Sequence, residues 1–483
     1  MQRRPPCIVP VVLFLTILNV LNVALAAEAT ASARSSPTQS GAASARRPNV
    51  IFILADDLGW GDLGCYGQQR IRTPHLDRLA DDGLRFAQFY VCSGVCSPSR
   101  AAFMTGRYPA RFGIHGHLAT AAQNARRGMP DALDPAVPTV SRFFQQAGYA
   151  TAHFGKWHLG AGDNVPPPSA YGFDKDCTVN SNGPGWDAKQ PYFRAKSSDL
   201  IIDETIAFIE DHRQQPFFVQ AWFLLPHATL HPTDEQMEPY RRYGPQRVPH
   251  RGASEIYYAS VTALDSAVGR LMDRLEALGL ADETLVLFSS DNGPEDIHIS
   301  NASHSAIGSP GPFRGRKRSL YEGGVRVPLI ARWPGHVPAG MVNTESVVAG
   351  VDFLPTLCAL AGIALPEDLE LDGKNMSPAL LGRPHKRTAP LMWEWRFGVA
   401  GHVINKCPIL AVRDGNWKLL MNPDRSRVEL YDIPADPSEL NNLADRRPEI
   451  VARMADMVLA WQRTLPPGPM DADAGSNAYP WAW

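Results

Sequence analysis

The sequence predicts an α/β fold: a mostly parallel, mixed central sheet sandwiched by helices, with a smaller C-terminal antiparallel sheet plus one helix. Three observations carry that expectation. Short continuous apolar runs alternate with longer helical patterns over residues 48–385, as a parallel sheet covered on both faces requires. A chain of 483 residues that is 44% hydrophobic and 20% charged can bury one large core and still build a second unit. Beyond residue 385 the pattern changes to closely spaced strand-like runs around a turn signal.

The first strand lies in RPNVIFILADDLGWGD (Arg47–Asp62), where an apolar run ends in two acids. Further strands are expected at Tyr149–Phe154, Phe217–Leu224, Thr284–Ser289 and Pro328–Arg332. Helical patterns fall between them at Pro74–Asp82, Ser99–Thr105, Thr139–Ala147, Asp199–Asp211 and Ser254–Leu278. In ILAVRDGNWKLLM (Ile409–Met421), Asp414-Gly415-Asn416 separates two strand-like runs and predicts a hairpin. VELYDI (Val428–Ile433) supplies a third strand, and an amphipathic helix spans Pro448–Thr464. The boundary is expected between residues 380 and 390, giving domains 48–385 and 386–483, with no internal repeat.

Residues 1–26 read as a signal peptide: Arg3 and Arg4, an apolar stretch from Ile8 to Ala24, then Ala24-Leu25-Ala26 as a small-x-small cleavage pattern. Pro10, Asn19 and Asn22 argue against a membrane span, so no stable membrane insertion is expected. Residues 27–47, rich in Ala, Ser, Thr and Arg, read as a disordered linker. The expected destination is the periplasm or the extracellular space, or a lysosomal-type lumen in a eukaryote. A net charge of -2 excludes nucleic acid as a partner on charge grounds. Of seven cysteines, Cys7 leaves with the signal. The other six allow up to three disulfides but are too few for a disulfide scaffold.

Asp56 and Asp57 follow the first strand, and SSDNG places Asp291 and Asn292 after another. Ligands of open α/β sheets sit outside the carboxyl ends of strands. Carboxylates with an amide are oxygen donors suited to a hard cation, Ca2+ or Mg2+. The same residue types are also ordinary turn formers; their coincidence at two strand ends points to a metal. In CSGVCSPSRAAFMTGR (Cys92–Arg107), Ser97 is expected to cap a helix with Pro98 in its first turn. Cys96 then stands just outside a helix N-terminus, an anion site, and Arg100 presents a fork of donors to an oxyanion. A Cys92–Cys96 disulfide is the competing structural reading.

CSPSRAAFMTGR resembles the Cys-x-Pro-x-Arg signature of the formylglycine-dependent sulfatase family, and GYATAHFGKWHLG (Gly148–Gly160) is similar to its second signature. NVIFILADDLGWGDLGCYG, SSDNG, RKRSLYEGGVRVP and LYDIPADPSELNNLA resemble further family segments in the family's order, so the resemblance spans residues 48–464. It implies an alkaline-phosphatase-like fold and hydrolysis of sulfuric esters. It implies that Cys96 is converted to Cα-formylglycine by a formylglycine-generating or equivalent maturation enzyme. One hydroxyl of the hydrated aldehyde attacks sulfur; the other loses its proton as the aldehyde re-forms and sulfate leaves. A serine would be left as a stable sulfate ester.

By the same resemblance, Arg100, Lys156, His158, His227 and Lys317 are catalytic with Cys96. Asp56, Asp57, Asp291 and Asn292, together with modified Cys96, hold Ca2+, or alternatively Mg2+. His231 rivals His227, and Arg316 and Arg318 flank Lys317. Secreted members with this pattern resemble N-acetylgalactosamine-6-sulfatases and arylsulfatase A, which implies a sulfated glycan such as N-acetylgalactosamine 6-sulfate, or a small sulfate ester. The alternatives are a phosphonate or phosphodiester hydrolase on the same fold and an inactive glycan-binding homologue. Specificity is expected in loops 161–200 and 293–312. His115, His117 and His153 match no motif and read as structural. Trp186 and the WEWRF stretch are the tryptophan sites placed to stack on sugar.

Overall fold

Strand β1 (Asn49–Ala55) is buried over its whole length because it serves two cores. Val50, Phe52 and Leu54 point into one, and Ile51, Ile53 and Ala55 into the other. The computed structural model describes residues 47–160, 165–179, 193–245, 252–297, 303–399 and 401–478. The expected signal peptide, most of the linker and Trp186 lie outside them. Residues 46–483 form one compact unit.

Around β1 the large sheet has the order β5-β4-β6-β1-β7-β8-β2-β9. Its members are β2 (Leu84–Phe86), β4 (Ala150–Lys156), β5 (Lys175–Val179), β6 (Phe217–Trp222), β7 (Thr284–Ser290), β8 (Leu329–Arg332) and β9 (Met341–Asn343). The five strands from β5 to β7 are parallel. β8 alone runs against its neighbours β7 and β2, and β9 is parallel to β2. A two-stranded pair, β3 (Phe89–Tyr90) with β10 (Val348–Ala349), lies apart.

Helices cover both faces. One core takes α2 (Cys96–Thr105), α4 (Val140–Gln146) and α9 (Phe353–Leu360); the other takes α1 (Pro74–Asp81), α5 (Phe193–Asp211) and α7 (Ala253–Ala277). Four short helices, α3 (Ala121–Arg126), α6 (Asp234–Met237), α8 (Glu322–Val325) and α10 (Ser377–Leu380), sit in the connections. The C-terminal sheet is antiparallel: β11 (Leu391–Glu394), β12 (Leu410–Asp414), β13 (Trp417–Met421) and β14 (Glu429–Asp432), packed by α11 (Pro448–Gln462). Its apolar side chains share the core of α2, α4 and α9.

Three expectations need correction. Helix α2 starts at Cys96, with Val95 as its N-cap. Ser97 does not cap it, because its hydroxyl accepts the backbone N–H of Leu118 at 3.0 Å. The Cys92–Cys96 disulfide is absent: all six cysteines among the described residues are free. Trp393 and Trp395 are 2% and 3% exposed and pack in the core rather than offering a sugar platform. No described helix is long and apolar enough to cross a membrane.

A fully buried charge cluster joins β13 to the start of α8 and to the loop after β14. Lys418 of β13 places Nζ 2.8 Å from Glu322 Oε1 and 3.0 Å from Glu439 Oε1. Glu439 Oε2 in turn accepts the backbone N–H of Glu322 at 2.6 Å. Removing one member of a buried ion cluster strands the charges left behind. Lys418→Met is therefore expected to cost about 3–5 kcal/mol, read as a lowered denaturant midpoint; an unchanged midpoint would show that the cluster carries no stability.

Candidate active site

Four adjacent parallel strands deliver their C-terminal ends to one place. β1 is followed by Asp56 and Asp57, and β7 by Asp291 and Asn292; β4 ends in Lys156 with His158 two residues on; His227 follows β6. Helix α2 brings Cys96 and Arg100 to the same edge. Asp56, Asp57, Arg100, Lys156, Asp291 and Asn292 are 0% exposed. Asp57 and His158 take left-handed backbone conformations, φ 66° and 54°, that such residues adopt at a local cost.

The pairing is dense. Lys156 Nζ lies 2.5 Å from Asp56 Oδ2, and Lys317 Nζ 2.7 Å from Asp57 Oδ2. Arg100 donates through Nε and Nη2 to Asp291 Oδ2 at 3.0 and 2.7 Å, and through Nη1 to the Lys156 carbonyl at 2.7 Å. Its guanidinium also sits 5.1 Å from the Trp222 ring centroid. The expected open fork is thus engaged, because a fully buried guanidinium is held by a buried carboxylate. Asn292 donates to Asp57 Oδ1 at 2.7 Å. His158 Nε2 lies 3.0 Å from the Leu118 carbonyl, so Nε2 carries the proton and Nδ1 is left as a buried acceptor with no partner. His227 Nδ1 faces the Ala228 carbonyl at 2.7 Å, which leaves Nε2 toward Asp57 Oδ2 at 3.7 Å.

Electrostatics split the three carboxylates. Burial opposes the charge on Asp56, but Lys156 above all, with Arg100 and Lys317, holds it well below the usual carboxylate range. Burial pushes Asp57 up against Lys317, and burial with repulsion from Asp56 pushes Asp291 up to about 6. Burial, then neighbouring cations, holds His158 and His227 well below the ordinary histidine value, so both rings are neutral. Burial also raises the Cys96 thiol despite Lys156 and Lys317, so the unmodified thiol is not a poised thiolate.

The residues fit a hard divalent cation. Ligand atoms of Asp56, Cys96 and Asp291 lie within 4.8 Å of one another, as do those of Asp56, Asp57 and His227. Asp56 Oδ1 and Asn292 Oδ1 are buried without a hydrogen-bond partner, a costly state that an oxygen-seeking ion relieves.

The model of the sulfatase family matches residues 48–363, and that of the C-terminal part of N-sulphoglucosamine sulphohydrolases matches residues 313–463. This chain belongs to the sulfatase family. The sulfatase is 33% identical to arylsulfatase A of Homo sapiens, over 87% of this chain and 89% of that protein. It is 28% identical to an N-acetylgalactosamine-6-O-sulfatase of Bacteroides thetaiotaomicron, over 86% and 93%. A crystal structure of Ps i-CgsB in complex with k-i-k-neocarrahexaose superposes with a TM-score of 0.74 at 29% identity, covering 89% of this chain and 97% of that one. The protein is a sulfuric ester hydrolase on the alkaline-phosphatase-like α/β fold, with the separate antiparallel sheet found above.

Within this sulfatase the RKR run resolves cleanly. Lys317, 4% exposed, reaches Asp57, whereas Arg316 is spent on the carbonyls of Glu295 and Ala306. Arg318 pairs with both oxygens of Glu295 at 2.5 and 3.1 Å. His231 is exposed, so His227 is the histidine at the site. Sequence reading missed Glu295, which sits between Lys317 and Arg318 and which they hold at about 2 against burial. It read His117 as structural, and the ring lies 3.4 Å from Arg127 Nη1, kept neutral by burial and then by the charges of Arg127, Lys317 and Arg318. Neither has a spacing signal, since both lie in irregular loops.

Gly293 explains the last residue of the DNG stretch. A Cβ there would meet the Gly323 carbonyl oxygen at 1.9 Å, so the DNG loop and the YEGG loop fit only backbone to backbone. Gly293→Ala is expected to force the loops apart and cut kcat/KM at least about tenfold, checked by kinetics on a folded sample. Wild-type kinetics in that variant would show that the contact is dispensable.

Proposed function

We propose that this sulfatase removes sulfate from a sulfated carbohydrate, N-acetylgalactosamine 6-sulfate or a related glycan, using Cys96 matured to Cα-formylglycine and a divalent cation, Ca2+. The observation that carries the reading is the buried Cys96 beside Asp56 and Asp291, in a cluster where Lys156 pairs with Asp56 and Lys317 with Asp57, with oxygen acceptors left unpartnered. The names of the N-acetylgalactosamine-6-O-sulfatase and of the neocarrahexaose complex support a glycan as substrate.

Hydrated, the aldehyde supplies two geminal hydroxyls, one to take the sulfuryl group and one to release it. The cation, held by Asp56, Asp57, Asp291 and Asn292, supplies charge neutralisation for sulfate oxygens. Lys156 and Lys317 add positive charge on either side of the acidic pair. Arg100 acts by fixing Asp291 and the end of β4. His158 Nδ1, the unpartnered acceptor, takes the proton of the releasing hydroxyl. His227 Nε2, with its side chain 18% exposed, faces incoming substrate, whose negative charge favours the protonated ring that donates to the leaving oxygen. Residues 1–26 direct export, and a maturation enzyme acts on the Cys-x-Pro-x-Arg stretch.

Sulfate release from N-acetylgalactosamine 6-sulfate, measured beside 4-nitrophenyl sulfate and bis(4-nitrophenyl) phosphate, tests the reading. Higher kcat/KM for the sulfated sugar is expected. Faster cleavage of the phosphate diester would transfer the assignment to phosphoryl chemistry, and no turnover of any ester would favour a binding protein.

A further inference from the structure

The Cys96 helix and His158 share an anchor that no motif contains. Leu118 gives its backbone N–H to Ser97 Oγ at 3.0 Å and accepts His158 Nε2–H at 3.0 Å. The loop that follows is therefore held in register with the site. It is stiffened again by Asn124, 0% exposed, which accepts the Ala119 N–H at 2.8 Å and donates to Asp131 Oδ1 at 2.9 Å. This rigid loop presents His117 and, just after helix α3, Arg127.

Arg127 is half-buried and cation-rich in its surroundings. Its Nη1 lies 3.4 Å from both the His117 ring nitrogen and the His117 carbonyl, and its guanidinium sits 5.3 Å from the Phe397 ring centroid. Among the described residues, Nε and Nη2 have no hydrogen-bond partner and no carboxylate lies at ion-pair distance. Asp471 attracts it from farther off, and its carboxylate already accepts the Gly398 N–H at 3.1 Å. Arg126 and Arg318 repel it. The Leu118 carbonyl, one residue after His117, ties this corner to His158 at the site at 3.0 Å, and His117 feels the charges of Lys317, Arg318 and Lys156. Arg318, by contrast, is neutralised by Glu295.

An arginine kept beside other cations by a neutral imidazole and an aromatic ring, with half its fork open, is arranged for an anion that arrives with a ligand. We propose that Arg127, oriented by His117 and Phe397, forms a subsite for a second oxyanion on the glycan, a sulfate or a uronate carboxylate, next to the sulfate that is hydrolysed. The loop's anchoring means that the fork is in place before substrate binds. This rests on the sulfatase reading above and adds to it a preference for multiply charged sugars.

The test compares kcat/KM for N-acetylgalactosamine 6-sulfate, its 4,6-disulfate and glucuronyl-N-acetylgalactosamine 6-sulfate, in wild type, Arg127→Ala and Arg127→Lys. A ratio between substrates is independent of the folded fraction of each preparation. Wild type is expected to prefer at least one doubly charged substrate, and which one identifies the oxyanion. Arg127→Ala is expected to lower that preference about tenfold, mainly through KM, with Arg127→Lys in between because it keeps the charge and loses the fork. Turnover with the same preference in wild type and Arg127→Ala, or a wild-type preference for the monosulfate, would overturn the subsite alone. Absence of turnover with every sulfate ester, 4-nitrophenyl sulfate included, would overturn the subsite and the sulfatase reading together.

Discussion

Cys96→Ser is expected to release one equivalent of alcohol per active site and then stop, with steady-state turnover down about 10^4-fold or more. Serine fits the space, since Cys96 is 2% exposed and the exchange keeps its size. What serine lacks is the second geminal hydroxyl. A sulfuryl group transferred to it has no internal route off, so the variant should carry sulfate at residue 96. Stopped-flow release of 4-nitrophenol from 4-nitrophenyl sulfate, followed by the mass of the peptide, reads both halves. Cys96→Ala should give neither burst nor sulfated peptide. Sustained turnover by the serine variant would remove the need for the hydrate.

The second large effect concerns the cation. Chelation of divalent ions is expected to abolish activity, and restoring Ca2+ to about 100 times its dissociation constant should recover it with about 2.7 kcal/mol of added stability. The cause is the set of buried oxygen donors at Asp56, Asp57, Asp291 and Asn292, all 0% exposed, of which Asp56 Oδ1 and Asn292 Oδ1 have no hydrogen-bond partner. The sign with pH follows from Asp291. Burial pushes it up to about 6, so the folded metal-free protein holds that proton more tightly than the unfolded chain. Its contribution to stability is present below the ordinary aspartate value, about 4, and is lost as pH rises through about 6. An ion favours the ionised form, so the gain in Tm on adding Ca2+ should grow between about pH 5 and pH 7. Thermal unfolding with and without chelator checks this; equal Tm and activity in both would contradict a resident cation.

The legible parts of the molecule are those in which local pattern and tertiary demand agree. β1 and β7 are read from their apolar runs because both of their faces are covered, and the acids that follow them mark the strand ends. The hairpin of β12 and β13 follows from a two-residue connection with Gly415 at φ 57°. β5 was missed because KDCTV is a polar strand at the sheet edge, paired only to β4. β11 was missed because its four buried residues show no alternation, sheet pairing alone defining them. The start of α2 was misplaced because Ser97, a good capping residue, is claimed by Leu118 across the chain. At the site, the strand ends pointed to Asp56, Asp57, Asp291 and Asn292, and motif resemblance added Lys156, His158, His227 and Lys317, but no spacing singles out Glu295, His117 or the proposed Arg127. Their positions depend on how three loops converge, which no local period encodes.

The mass of the peptide that carries residue 96, taken from protein made in its native host, tests the central claim most directly. An aldehyde in place of CH2SH, accompanied by its hydrate, is the expected result and makes the buried site around Asp56 and Asp291 a formylglycine centre. An unmodified thiol in an enzyme that still releases sulfate would contradict the mechanism, leaving that buried, protonated thiol to account for turnover.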